Sequence, residues 1–326
     1  MVGETCAGKG KGEAVTQRLG LSILVLTLFA VLPLGCSQAP DADANDIPLV
    51  GSQPRDVVIT TCYPVQWMTQ KIVGSAVTVE CVIPEGQAPS TWTPGADSIK
   101  SLQSARLIVT NGAGLEAWTD KTSLPTSRLV DTTFGLPDPL LQYENVVVHQ
   151  HGPGGDQSPE GTDPHTWLDP TTAIHQAGRI LIAAKRVWPQ HKDKLESGHR
   201  DLVKQLSQLD ERFRTLSDKL AEANLLFAQQ SYNYVARRYK WNTKNLDLDR
   251  VAELNSESVQ SILSTLDSGK TSILLFDESV SEASVNELTR AGARSVLFST
   301  CATEPKDGDY LDTMNANLDR LNEALD

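Results

Sequence analysis

From residue 56 onward, short apolar runs alternate with amphipathic stretches. VVITTCY (57–63), VTVECVI (77–83), RLIVTN (106–111) and SRLVD (127–131) predict strands, each short and rich in β-branched residues. PVQWMTQKIV (64–73), opened by proline, and ADSIKSLQSA (96–105) predict helices between them. This β-α-β order implies a parallel sheet covered by helices. QYENVVVHQHGPGGDQSPEGT (142–162) then runs into a Gly/Pro/Ser/Asp-rich loop without periodicity.

Leu195, Leu202, Leu206, Leu209, Phe213, Leu216 and Leu220 recur at spacings of seven, four and three. They predict one helix from about 192 to 222, on the order of 45 Å long. The spacing also suits a coiled-coil dimer, but a single helix lying along the body needs only the same stripe. Beyond it, β-α alternation restarts at ANLLFAQQ (223–230), and a last helix is expected from about 308. The expected fold is therefore α/β: two β/α lobes with mainly parallel sheets, bridged by one long helix, with a ligand cleft between them. The corresponding boundaries are 56–168 for the first lobe, 169–222 for the helical segment and 223–326 for the second lobe. No sequence repeat links the lobes.

The N-terminus departs from this pattern. Lys9, Lys11 and Arg18 precede an apolar run from Leu19 to Leu34 that ends in LPLGCS (32–37). The run is short for a membrane span and suits a secretory signal. A small residue before a cysteine resembles a bacterial lipoprotein processing site, although Pro33 stands where that motif usually has leucine. The expectation is a signal over 1–35, lipid on Cys36, and a flexible polar tether to residue 55. A plain secretory signal with an incidental cysteine is the other reading. Residues 1–36 carry a net charge of +1, so the remainder carries −13 of the chain's −12 total. That acidity argues against nucleic acid and against a polybasic membrane-binding face. It fits a monomer held at an extracytoplasmic surface, periplasm-facing or cell-surface, by its N-terminal lipid alone.

Two segments carry candidate chemistry. NGAGLEAW (111–118) follows a strand and contains Gly112-x-Gly114-x-x-Ala117, formally a dinucleotide-binding fingerprint. It lies mid-lobe, where a tight turn at Asn111-Gly112 is the plainer explanation. DPHTWLDP (163–170) holds His165 between two Asp-Pro pairs, a stiff frame that aims an imidazole. Asp169 and Pro170 are the expected N-cap and first residue of the following helix.

These two segments, with the tether and the lobe–helix–lobe plan, resemble the cluster A-I metal-binding lipoproteins, which deliver Zn²⁺ or Mn²⁺ to ABC importers. The resemblance covers roughly residues 55–326. It implies no enzyme activity, but a solute-binding protein that captures a divalent metal between the lobes and passes it to a permease and its ATPase. Family members use three histidines and a carboxylate, or two of each. Carried over position by position, His165 matches a ligand. Ser90 in GQAPSTWTP, Gln229 in AQQSYNYVARRY and Ser299 in VLFSTCATEP occupy the other three positions. Neutral hydroxyl and amide oxygens are poor partners for a borderline-soft ion.

Other donors are available. Cys62, Cys81 and Cys301 fall near strand ends, where thiolates would suit Zn²⁺ or Cu⁺. In an oxidising compartment, Cys62 and Cys81 would instead pair as a disulfide, leaving Cys301 free. Glu278 matches a family acidic position and also suits a helix-entry carboxylate. His149 and His151 offer loose capture on the 142–162 loop or simple solvation. His175, His191 and His199 receive no role. Two functions stay open: the importer component, or a divergent paralogue that has lost high-affinity metal binding and serves as an adhesin, an interaction module or a binder of another ligand.

Overall fold

A computed structural model describes residues 54–143, 161–248, 254–264, 266, 269–277 and 281–326. The first lobe runs β1 (Arg55–Thr60), α1 (Tyr63–Val73), β2 (Thr78–Cys81), α2 (Ala96–Ser104), β3 (Ala105–Thr110) and β4 (Leu129–Asp131). Two helices follow, α3 (Pro170–Val187) and α4 (Lys192–Leu220). The second lobe contains β5 (Ala223–Phe227), α5 (Asn233–Tyr239), β6 (Thr243–Asn245), α6 (Ser256–Ser264), β7 (Thr271–Phe276), α7 (Glu282–Arg290), β8 (Arg294–Leu297) and α8 (Tyr310–Glu323).

Each lobe holds a four-stranded sheet, ordered β2-β1-β3-β4 and β6-β5-β7-β8. Every strand pair is parallel. The two sheets thus share one winding order, a likeness invisible in the residues themselves. In both, the order reverses between the first and third strands of the lobe, and the carboxyl ends of those strands flank the crevice where such sheets receive ligands.

Strand alternation sorts the core. Val58, Leu107 and Val109 face the interior shared by both lobes, whereas Val57, Ile59 and Ile108 face a separate layer with Trp92, Leu102 and Trp118. The second sheet behaves alike: Leu225, Phe227, Ile273 and Leu275 join the shared interior, while Leu226 and Leu274 pack outward with Val259 and Leu288. This is the period of two that buries both faces of a parallel sheet.

All seven stripe residues of α4 are buried within the shared interior. The stripe is filled by the chain's own elements, as a single bridging helix requires. One approach is especially close. A Cβ on Gly198 would lie 2.5 Å from the Lys71 carbonyl and 2.7 Å from that of Ile72. Glycine therefore lets α4 cross the end of α1.

Candidate metal-binding site

The segment 163–170 is anchored to both lobes. Asn111, just beyond β3, donates from Nδ2 to the Pro164 carbonyl at 2.9 Å. Its Oδ1 accepts from Gln176 Nε2 at 3.0 Å and from Thr166 Oγ1 at 3.3 Å. From the second lobe, the Thr300 carbonyl accepts from Trp167 Nε1 at 2.8 Å, and Tyr310 donates its hydroxyl to the Trp167 carbonyl at 2.6 Å. His165 thus sits at the seam of the lobes because its neighbours on both sides are tied down.

The two aspartates divide the work. Asp169 caps α3, its Oδ1 accepting from the Thr171 backbone at 2.8 Å and hydroxyl at 2.7 Å. Asp163 is fully buried and aims the histidine: Oδ1 accepts from the His165 backbone N–H at 2.9 Å and lies 2.8 Å from His165 Nδ1. In the neutral ring that contact puts the proton on Nδ1 and leaves the Nε2 lone pair free, the usual arrangement of a metal-binding imidazole. The His165 side chain is 17% exposed, so one edge of it remains reachable. Asp163 Oδ2 has no hydrogen-bond partner among the described residues.

The other three family positions lie in the connections that follow β2, β5 and β8. Ser90 is exposed in the connection from β2 to α2. Gln229 is half-buried, two residues beyond β5, with an extended backbone. Ser299, two residues beyond β8, is fixed by buried Asn317, which accepts from its N–H at 3.0 Å and donates to its carbonyl at 2.8 Å. The Ser299 hydroxyl accepts from the Cys301 N–H at 3.2 Å.

The three cysteines are unbonded, so the expected Cys62–Cys81 disulfide is absent from the structure. Thr60 pairs with Cys81 across β1 and β2, but Cys62 lies two residues further on, where it precedes α1 and is buried in the shared core. Burial pushes the Cys62 thiol well up, with the Glu116 charge adding to it. Burial likewise raises Cys81, and it pushes Cys301 up to about 12. In each case burial disfavours the thiolate, the form that attacks and ligates, in the metal-free chain. Among the described residues, no three His, Cys, Asp or Glu side chains form a group that could hold a metal ion. Glu278, His149, His151 and Cys36 lie outside the described residues.

The glycine-rich turn has its own explanation. Glu116 is buried and accepts from the Asn111 N–H at 2.8 Å, the Gly112 N–H at 2.9 Å and the Thr61 hydroxyl at 2.5 Å. Two backbone donors of the turn are thus taken by the chain's own carboxylate. Gly112 has φ +87°, and a Cβ there would fall 2.0 Å from Asp131 Oδ1. Burial raises Glu116 to about 7, against the hydrogen bonds that favour its charged form. Asp163 and Glu116, inside the two quoted segments, carry much of this architecture together with Gln176 and Tyr310, which lie outside them. Asp163 and Glu116 have a local signal; Gln176 and Tyr310 act across long separations.

A model of the family "Zinc-uptake complex component A periplasmic" matches residues 58–324. The zinc-binding lipoprotein AdcA of Streptococcus pneumoniae (strain R6) is 26% identical over 318 residues, covering 94% of this chain and 61% of AdcA. The chain thus spans about three-fifths of that relative's length. The high-affinity zinc uptake system protein ZnuA of Bacillus subtilis is 24% identical, covering 82% of this chain and 87% of ZnuA. Two solved structures share the fold. The metal-dependent lipoprotein YcdH of B. subtilis superposes with a TM-score of 0.70 at 23% identity, over 82% of this chain and 98% of that one. The Zn(II)-bound ZnuA-like domain of S. pneumoniae AdcA gives 0.68 at 22%, over 83% and 98%.

Proposed function

The chain belongs to the periplasmic zinc-uptake component A family, a family of solute-binding proteins and not of enzymes, and from that membership we propose that it captures Zn²⁺ at the seam of its lobes and hands it to an ABC permease with its ATPase. The observation that carries this reading is the Asp163–His165 pair, 2.8 Å apart, which holds a lone pair ready on Nε2. His165 is the proposed anchoring ligand. Ser90, Gln229 and Ser299, at the other three family positions, offer only weak neutral oxygens, so bound water is the proposed remainder of the shell. Mn²⁺ gains more than Zn²⁺ from oxygen donors and is the first competitor to measure; Cu⁺ would need a thiolate in place of these oxygens. Lipid on Cys36 is the proposed anchor to an extracytoplasmic membrane face.

Capture in this reading is a local event. The hydrophobic interior runs through both lobes without a break, and Trp167, Tyr310 and Asp309 tie them further. Wide hinge opening would tear that interior apart, so entry and release belong to loops and side chains at the rim.

A second reading keeps the scaffold without high-affinity metal. It is favoured by the substitution of three of the four family positions and by the lack of a three-ligand cluster among the described residues. Equilibrium dialysis of the chain from residue 37 onward, against Zn²⁺, Mn²⁺ and Cu⁺ separately, decides between them. One Zn²⁺ retained per chain at micromolar free metal supports the importer reading; none of the three retained supports the second.

A further inference from the structure

Phe134 and Ile182 are exposed large apolar side chains, at 67% and 63%, and both border one groove of about 360 Å³. One wall is β4, an edge strand: β3 pairs with one side of it, and no strand among the described residues pairs with the other. The opposite wall is a single face of α3, where Arg179, Ile182 and Arg186 follow at helical spacing. An arginine thus flanks the apolar position roughly one turn away on each side.

The groove is held in place without being covered. The Arg179 guanidinium lies 5.0 Å from the centre of the Phe134 ring, and the His175 ring nitrogen donates to the Phe134 carbonyl at 3.2 Å. Arg179 Nε is buried and has no hydrogen-bond partner among the described residues. Arg186 reaches the Ser127 carbonyl at 3.3 Å. The one acidic side chain in the lining, Asp131, is exposed, and one of its oxygens accepts from the backbone N–H and hydroxyl of Thr133. Two guanidinium groups therefore dominate a patch on a chain whose net charge is −12.

We propose that this groove docks an extended acidic-apolar segment of a second protein. The segment adds alongside the open edge of β4, sets an apolar side chain on Phe134 and Ile182, and places carboxylates against Arg179 and Arg186. Open strand edges recruit extended segments through backbone hydrogen bonds, while pockets beside them choose the side chains. Aromatic and arginine groups are the residue types that dominate binding energy at such interfaces. Charge selects the occupant. A second copy docked about a two-fold axis would bring arginines toward arginines, between two chains of −12 each. Lipid headgroups would use the guanidinium groups and leave the strand edge unpaired.

The test is photo-cross-linking of the full chain in its own cells, with p-benzoylphenylalanine replacing Ile182 or, as a control, exposed Lys194. The proposal expects an adduct at 182 and not at 194, mapped by mass spectrometry to an acidic-apolar segment of a different protein. It expects Arg179→Glu/Arg186→Glu to reduce that adduct at least tenfold, with thermal unfolding of the purified chain unchanged. If the double reversal does not fold, Arg179→Gln/Arg186→Gln takes its place, with the same loss expected. An adduct to a second copy, an adduct to lipid only, no adduct above the control, or an adduct indifferent to charge overturns the proposal.

Discussion

Asp163 Oδ1 lies 2.8 Å from His165 Nδ1 and accepts the His165 backbone N–H as well, so one buried oxygen fixes both the ring and the chain that carries it. Asp163→Asn keeps the shape and loses the charge that strengthens the imidazole as a ligand. Removing such a supporting carboxylate costs about 10- to 100-fold in metal affinity. Zn²⁺ calorimetry on the variant should show that loss, with the thermal midpoint little changed.

Tyr310→Phe removes a single oxygen, the one that donates to the Trp167 carbonyl at 2.6 Å. Both residues are buried, so the carbonyl is left unpaired away from water. That costs about 1–3 kcal/mol. Urea unfolding should report it as a lower midpoint at constant slope.

Gly112→Ala should be worse tolerated than its size suggests. The residue has φ +87°, and the added methyl would meet Asp131 Oδ1 and Thr133 Oγ1. Overpacking alone costs about 1–3 kcal/mol, and the left-handed backbone adds to it. A fall in the unfolding midpoint well beyond that of Gly135→Ala, where φ is +75° but no atom lies within 4 Å, would separate contact from backbone strain.

Glu116 predicts a pH dependence. Burial raises its folded value to about 7 from the ordinary 4.5. Between those values the folded chain holds a proton that the unfolded chain has released, so stability falls as pH rises through this window and levels off above 7. The size is about 3 kcal/mol. Glu116→Gln should lose this slope, measured as urea midpoints at pH 5 and pH 7.5.

The elements with a local signature were legible in the sequence. The α4 stripe, the Asp169 cap, the strand alternation and the tight turn at Asn111-Gly112 each depend on residues a few positions apart. What escaped depends on distance along the chain. Trp167 meets Thr300 across 133 positions, and Glu116 meets Thr61 across 55. The matching order of the two sheets is a property of winding, which side-chain chemistry does not record. Of the two readings open for Cys62 and Cys81, the disulfide is absent: Cys62 lies two residues past the Thr60–Cys81 pair, buried at the start of α1. Ser90, Gln229 and Ser299 came from resemblance alone, since nothing in their own chemistry marks a ligand.

Zn²⁺ calorimetry of the chain from residue 37 onward, with His165→Ala beside it under reducing conditions, tests whether His165 anchors a bound ion. One site of micromolar or tighter affinity is expected in the unaltered chain, and its loss in the variant. Zn²⁺ binding that survives His165→Ala, or no binding by the unaltered chain, would contradict this expectation.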